Sequence, residues 1–343
     1  MTAGNPWPPG AATGVGSMPG TDPLEAARTV IGELPELPHL PELPARGLGA
    51  DIIGRTAALL VDLAVEEVTS GYRVAARPGR DHNRAVSLLR TDLDAFEQAL
   101  ELAGARPQVV KVQAAGPWTL VAGVELRNGH RVLTDGGAVR EFTASLAEGL
   151  ARHAEEVARR TGARVVVQLD EPSLPAVLAG RLPTPSGYGT VAAVEDTDAQ
   201  DALRTVLGAV PGQGIVHCCA ADPPIGLLRG AGAHALGIDL TLVTALTKAG
   251  TVDAIGQAWD DGATLLLGVV PSQEPDRPIT LRDVAGRAFE LADRLGFPRG
   301  TLAERAVPTP ACGLAGATPR WARRVLALVR DAGRAFVEPP EDW

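Results

Sequence analysis

The chain has 343 residues, a net charge of −9 at neutral pH and 45% hydrophobic residues. It contains no run rich in lysine or arginine, which argues against a nucleic-acid partner. Neither a bilayer-spanning apolar run nor the pattern of a signal peptide is present, which argues against a membrane partner. Its three cysteines, two of them adjacent, make a poor disulfide framework, so we expect a cytoplasmic protein.

Short β-branched stretches alternate with longer helical patterns along the whole chain. This alternation predicts repeated βα units and a parallel sheet. Seven or eight units favour a single (β/α)₈ TIM barrel, one α/β domain over residues 1–343, rather than two doubly wound halves. The predicted strands are Ala12–Ser17, Val109–Ala115, Arg164–Asp170, Gly214–Cys219, Ala235–Leu240, Thr264–Val270 and Arg305–Ala311, with a weaker one at Tyr72–Ala76. The predicted helices are Pro23–Glu33, Arg55–Val68, Leu93–Ala103, Ala138–Arg160, Asp196–Leu207, Thr251–Trp259, Leu281–Arg294 and Pro319–Phe336.

An N-terminal insertion, Gly32–Gly49, is rich in proline. Four of its prolines recur at three-residue spacing, which excludes a helix and predicts an extended, polyproline-like segment. We expect this segment to form a strap on the surface, laid over a βα junction. The alternative is a docking site for a partner.

Polar residues recur at the predicted carboxyl ends of the strands, which in this architecture form the catalytic rim of the barrel. Buried strands have no structural need for such groups, because unpaired polar atoms there are costly. The residues in question are Ser17, Asp170, Glu171, His217, Cys219, Asp239 and Cys312.

The segment His217-Cys-Cys219 has His-x-Cys spacing, which in a strand places His217 and Cys219 on one face. Together with Cys312 they form a thiolate and imidazole set suited to Zn²⁺. The opposite-facing Cys218 is more simply a small buried hydrophobic residue. Alternatives for Asp170 are a helix cap or a partner for a lysine. The other five histidines are expected to be solvated: His39, His82, His130, His153 and His234.

Five segments, in this order, resemble the C-terminal catalytic barrel of the cobalamin-independent methionine synthase family. They are Gly14-Val-Gly-Ser-Met-Pro19, Ala115-Gly-Pro-Trp-Thr-Leu120, Gln168-Leu-Asp-Glu-Pro-Ser-Leu174, His217-Cys-Cys219 and Pro310-Ala-Cys-Gly-Leu314. The resemblance covers nearly the whole chain. It implies a zinc-dependent methyltransferase that transfers a methyl group to a thiol, most simply homocysteine, to give methionine.

The resemblance also implies roles for single residues. His217, Cys219 and Cys312 would bind Zn²⁺, and Asp239 falls opposite the family's glutamate ligand. Ser17 would meet the substrate carboxylate, and Asp170, with Glu171 beside it, would meet the ammonium. The homocysteine thiol would bind the metal and be deprotonated there. The methyl donor would be methyltetrahydrofolate or a methylcorrinoid carrier.

Three departures from the family pattern keep other functions open. Gly54 stands where the family has a second glutamate for the substrate ammonium. Gly268-Val-Val-Pro-Ser272 lacks the family's acid histidine, and the folate-binding N-terminal barrel of the long enzymes is absent. We therefore expect weak homocysteine binding, or a preference for a thiol without a free amino group. The alternatives are a non-catalytic barrel that binds zinc and a thiol metabolite, and an enzyme of the uroporphyrinogen decarboxylase type.

Overall fold

The computed structural model describes residues 4–184, 187–243 and 249–339. Its centre is a curled, all-parallel sheet of six strands that run in the order β3-β5-β6-β7-β8-β9. These strands are β3 (Val109–Ala115), β5 (Arg164–Asp170), β6 (Ile215–Cys218), β7 (Ala235–Asp239), β8 (Thr264–Val270) and β9 (Ala306–Pro310). Each lies at or within one residue of its predicted position. Their apolar residues are buried on both faces, as expected for a parallel sheet covered by helices.

Two extended segments lie across the gap between the outer strands β9 and β3. The Thr13 amide donates to the Pro308 carbonyl oxygen at 3.4 Å, and the Met18 amide donates to the Glu42 carbonyl oxygen at 2.8 Å. His39 is then paired in parallel with Lys111 of β3. The predicted first strand, Ala12–Ser17, is thus an extended segment with isolated bridges. The curled parallel sheet confirms the TIM-barrel-like fold.

The proline-rich segment is extended, as predicted, but its predicted position on the surface is wrong. Its leucines Leu34, Leu37, Leu40 and Leu43 are at most 1% exposed. Leu34, Leu40 and Leu43 pack in the main hydrophobic cluster, and Leu37 packs in a second one with Val109 of β3. Burial of these leucines places the segment beside β3, where the Leu40 amide donates to the Lys111 carbonyl oxygen at 2.9 Å.

A small sheet lies outside the barrel and contains β1 (Ala64–Val68), β2 (Gly71–Ala75) and the two-residue β4 (Val124–Glu125). The predicted helix Arg55–Val68 is therefore wrong beyond Ala57. The helix α2 covers only Ile52–Ala57, and the chain then forms β1, which pairs with β2 in an antiparallel hairpin. The β-branched residues of β1 suit a strand better than a helix, and this pairing decides the outcome.

The helices pack against the outside of the barrel. Seven of them agree with the other predicted helices to within three residues at each end, except that α3 begins thirteen residues earlier. These seven are α1 (Pro23–Glu33), α3 (Arg80–Ala103), α5 (Gly136–Thr161), α7 (Asp196–Ala209), α9 (Ala249–Asp260), α10 (Leu281–Leu295) and α12 (Pro319–Val337). The short helices that were not predicted are α4 (Pro117–Gly123), α6 (Leu174–Leu178), α8 (Ile225–Gly230) and α11 (Gly300–Arg305), with 3₁₀ turns at Pro44–Arg46 and Val132–Thr134. Within the described residues, none of the helices has the length and apolar character needed to cross a bilayer.

Candidate metal and thiol-binding site

The polar residues predicted from the sequence lie at the carboxyl ends of the strands, as expected for a barrel. Asp170 ends β5, His217 lies near the end of β6, Asp239 ends β7, and Cys312 follows β9 by two residues. Ser17 reaches the same rim, because a Cβ atom on Gly313 would lie only 2.1 Å from the Ser17 Oγ atom. Glycine at position 313 therefore permits the close approach of Ser17 to the loop that carries Cys312.

Asp170 and His217 form a buried pair across neighbouring strands. Their side chains are 8% and 7% exposed, and Asp170 Oδ1 lies 2.8 Å from His217 Nδ1. An ionised carboxylate can only accept, so Nδ1 carries the hydrogen and Nε2 presents its lone pair. His217 Nε2 is buried and has no hydrogen-bond partner among the described residues.

The thiols of Cys219 and Cys312 lie together, with 3.1 Å between their Sγ atoms. The contact with Cys219, together with the nearby His217, lowers the pKa of Cys312 to about 6, although burial opposes this shift. The same contact, together with burial, raises the pKa of Cys219 instead. Cys218 is fully buried in the hydrophobic core, which confirms its predicted packing role.

Asp239 is held by the residue two positions later. Its Oδ1 atom accepts hydrogen bonds from the Thr241 backbone amide at 2.8 Å and from the Thr241 hydroxyl at 2.6 Å. Burial raises the pKa of Asp239, and the nearby His217 opposes that shift. One carboxylate oxygen of Asp239 is therefore used for a local turn.

The chemistry of these side chains suits Zn²⁺, although they do not form a complete cluster. Across the described part of the chain, no group of three or more His, Cys, Asp or Glu side chains is arranged so that it could hold a metal ion. Two thiols in contact and a buried imidazole nitrogen without a partner are, however, the donors that a tetrahedral zinc site uses. Zinc binding by His217, Cys219 and Cys312 thus remains a proposal.

The structure gives Glu171 partners within the protein. Its side chain is fully buried, and its oxygens accept hydrogen bonds from the Trp118 amide at 2.9 Å, the Thr119 amide at 2.8 Å and the Thr119 hydroxyl at 2.7 Å. Burial raises the pKa of Glu171 to about 7, although these three hydrogen bonds lower it. Glu171 therefore caps the first turn of α4, and we do not place it in contact with a substrate.

We expect Glu171→Ala to lower the free energy of unfolding by about 3 kcal/mol, because three buried donors would lose their acceptor. Since its folded-state pKa lies above the ordinary value of 4.5, this contribution is greatest below pH 4.5 and declines as the pH rises through about 7. Urea unfolding at pH 5 and pH 8 measures both effects. The control is Asp135→Ala, which removes an exposed cap from two amides of α5 and should cost about 1 kcal/mol.

A buried carboxylate that the sequence analysis did not single out lies next to this site. Glu42, in the proline-rich segment, is 7% exposed, and burial raises its pKa to about 7. The Arg55 guanidinium, 3.6 Å away, opposes that shift, and the charge of Asp170 adds to it. The sequence signal for Glu42 is an acidic residue among the regularly spaced leucines of the proline-rich segment.

Arg55 is itself held by a buried acid on α3. Arg55 and Arg46 both bind Asp92, and the Arg46 Nη2 atom lies 2.8 Å from Asp92 Oδ2. This group of two arginines and one aspartate fixes the proline-rich segment and α2 to α3. It also holds the Arg55 guanidinium beside Glu42.

Gly54, which stands where the family has a glutamate, lies in a closely packed position. A Cβ atom there would lie 2.2 Å from the Tyr72 hydroxyl oxygen and 2.6 Å from Gly49 Cα. A larger residue is therefore excluded by packing in this chain. Among the other histidines, the prediction of a solvated side chain is wrong for His39 and His153, which are buried in the protein at 1% and 9% exposure.

Comparisons with known proteins agree with the fold. Residues 10–335 match the family model described as "Cobalamin-independent synthase, Catalytic domain". A B12-independent methionine synthase from Shewanella sp. W3-18-1 superposes with a TM-score of 0.57 at 10% identity, over 96% of this chain and 98% of that chain. A methyltransferase from Methanosarcina mazei gives 0.56 at 17% identity, over 96% and 94%. No curated protein matches the chain.

Proposed function

Because the chain belongs to the family of cobalamin-independent synthase catalytic domains, we propose that it is a zinc-dependent methyltransferase that converts homocysteine to methionine. The observation that carries the proposal is the contact of Cys219 with Cys312 on the rim that also holds His217. The Nε2 atom of His217 has no hydrogen-bond partner within the part of the chain that the structure describes. Three donors of the kind that zinc prefers are thus available on one rim.

The three donors have separate roles in the proposed zinc site. His217 would bind through Nε2, since Nδ1 is engaged by Asp170, and Cys219 and Cys312 would bind as thiolates. Asp239 is the candidate for the fourth position in the resting enzyme. When bound, zinc would supply a low pKa for a coordinated thiol and so a strong sulfur nucleophile at neutral pH.

The amino-acid part of homocysteine would bind beside the metal site. Ser17 would donate its hydroxyl to the substrate carboxylate. Asp170 and Glu42 would face the ammonium, whose positive charge offsets the mutual repulsion of the two buried carboxylates. Glu42 thus supplies the second acid that Gly54 does not. Its presence removes the reason to expect weak homocysteine binding.

A comparison of substrates tests this assignment. We expect the zinc-loaded protein to form methionine from homocysteine, measured by mass spectrometry with methyltetrahydrofolate and with methylcobalamin as alternative donors. We also expect kcat/KM for 4-mercaptobutyrate, which lacks the ammonium, to be lower by about 10- to 100-fold, because hydrogen bonds to a charged group contribute about 1.5–3 kcal/mol. Glu42→Gln should reduce that preference. Equal use of both thiols would contradict the assignment of the ammonium site.

The two other functions give different outcomes in the same assay. A barrel that only binds zinc and a thiol metabolite would bind homocysteine and form no methionine with either donor. An enzyme of the uroporphyrinogen decarboxylase type would need no zinc, so Cys219→Ala and Cys312→Ala would leave its activity intact. The approach of two thiols on the rim favours the zinc-dependent methyltransferase over both.

A further inference from the structure

A lysine is buried below the candidate site, where a positive charge is costly without partners. Lys111, in the middle of β3, is fully buried. Its Nζ atom donates to the Val15 carbonyl oxygen at 2.9 Å, to Gln168 Oε1 at 2.8 Å and to Gln113 Oε1 at 3.2 Å. The ammonium has three donors and these are three acceptors, so its hydrogen-bonding capacity is filled.

The lysine fixes which way the Gln168 amide points. Because an ammonium only donates, the carbonyl oxygen of Gln168 must face Lys111, and its NH₂ group must face the other way. That group donates to Asp170 Oδ1 at 2.7 Å and to the Val15 carbonyl oxygen at 2.9 Å. The hydrogen-bonded path continues from Asp170 Oδ1 to His217 Nδ1 at 2.8 Å.

We propose that Lys111 is a positioning residue, which acts through Gln168 and Asp170 to keep the hydrogen of His217 on Nδ1 and the lone pair on Nε2. Asp170 Oδ1 accepts from both Gln168 and His217, so the Gln168 NH₂ group, itself oriented by Lys111, holds this oxygen in place as the acceptor for Nδ1–H. The use of Nε2 as a zinc ligand rests on the proposed function. The tautomer itself does not, and it is measurable in the metal-free protein.

The structure provides a matched control for this path. Gln113 and Gln168 are register partners on neighbouring strands, are 3% and 1% exposed, and both accept from Lys111. Only Gln168 continues to Asp170, since the Gln113 NH₂ group donates to the Leu40 carbonyl oxygen at 2.6 Å. Gln168→Met and Gln113→Met therefore each remove a buried side-chain amide at the same level of the sheet. Only Gln168→Met breaks the hydrogen-bonded path from Lys111 to Asp170 and His217.

The test is a two-bond ¹H–¹⁵N correlation spectrum of the metal-free, reduced protein labelled at histidine nitrogen. It is recorded about one pH unit above the ordinary histidine pKa, because burial lowers the pKa of Lys111 to about 8 and the lysine must stay an ammonium. The His217 signals are assigned by their loss in His217→Gln. We expect Nδ1–H and an unprotonated Nε2 in the wild type and in Gln113→Met. In Lys111→Met and Gln168→Met we expect a mixture of tautomers. If Lys111→Met does not fold, the two glutamine variants decide.

A second measurement is zinc affinity by chelator competition. Loss of groups that orient a metal-binding histidine lowers affinity by about 10- to 100-fold, so we expect at least a tenfold loss in Gln168→Met and none in Gln113→Met. A hydrogen on Nε2 in the wild type, or equal effects of the two glutamine variants, would overturn the inference. If methionine forms normally but the His217 tautomer does not depend on Gln168, this inference is overturned and the proposed function stands. The expected tautomers without methionine formation would refute only the proposed function.

Discussion

Replacing either Cys219 or Cys312 by alanine is expected to remove bound zinc and to lower kcat/KM for methyl transfer by at least about a thousandfold. The size of the effect follows from the metal, which supplies several kcal/mol of charge stabilisation to the reacting sulfur. Zinc is measured by plasma mass spectrometry after gel filtration, and activity by methionine formation. We expect both thiols to be needed for zinc binding, because the rim brings the Cys219 and Cys312 sulfur atoms together as a pair of donors.

Cys218→Ala is the matched control, since Cys218 is the neighbouring residue but lies in the hydrophobic core. We expect it to retain zinc and activity, with a modest loss of stability. Full zinc content in both Cys219→Ala and Cys312→Ala would disprove the site. If zinc is lost in Cys218→Ala and in neither of the other two variants, Cys218 faces the metal site and Cys219 faces the hydrophobic core.

Asp92→Ala is expected to lower the free energy of unfolding by about 3–5 kcal/mol. The substitution would leave the Arg55 guanidinium buried with a single acid, Glu42, at 3.6 Å, and breaking a buried ion pair from one side has a cost of this size. Because Arg55 lies beside Glu42, we also expect a weaker preference for homocysteine over 4-mercaptobutyrate. Denaturant unfolding and substrate competition measure the two effects.

Asp94→Ala, two residues along the same helix, is the control. Asp94 pairs with Arg160, but its side chain is 67% exposed, so its loss should change stability by less than about 1 kcal/mol. Equal losses of stability in the two variants would mean that the buried group of Arg46, Arg55 and Asp92 does not hold the proline-rich segment in place.

The barrel strands could be predicted from the sequence because each is a short, nearly continuous apolar run bounded by turn residues. Thr264–Val270 and Arg164–Asp170 are examples in which both predicted ends agree with the structure. The hairpin at Ala64–Ala75 was missed in part, because its first strand reads as the end of a helical pattern. Only pairing with the second strand distinguishes a strand from a helix at these residues, and pairing is a tertiary effect that the local sequence does not show.

The rim residues could also be predicted, since a polar side chain at the end of a buried strand has few purely structural explanations. The sequence did not reveal the partners of those residues. Proline spacing predicts a strap on the surface for the segment that contains Glu42, whereas its regularly spaced leucines are buried and take Glu42 with them. Glu171 was grouped with Asp170 by adjacency, although neighbouring residues at a strand end point in different directions and Glu171 instead caps α4.

We propose that zinc held by His217, Cys219 and Cys312 binds and activates a substrate thiol. X-ray absorption at the zinc edge, recorded before and after addition of homocysteine, tests this proposal most directly. We expect two sulfur ligands in the resting protein and three after homocysteine is added, with the oxygen ligand displaced. An unchanged sulfur count at saturating homocysteine, or a zinc ion without sulfur ligands in the resting protein, would contradict it.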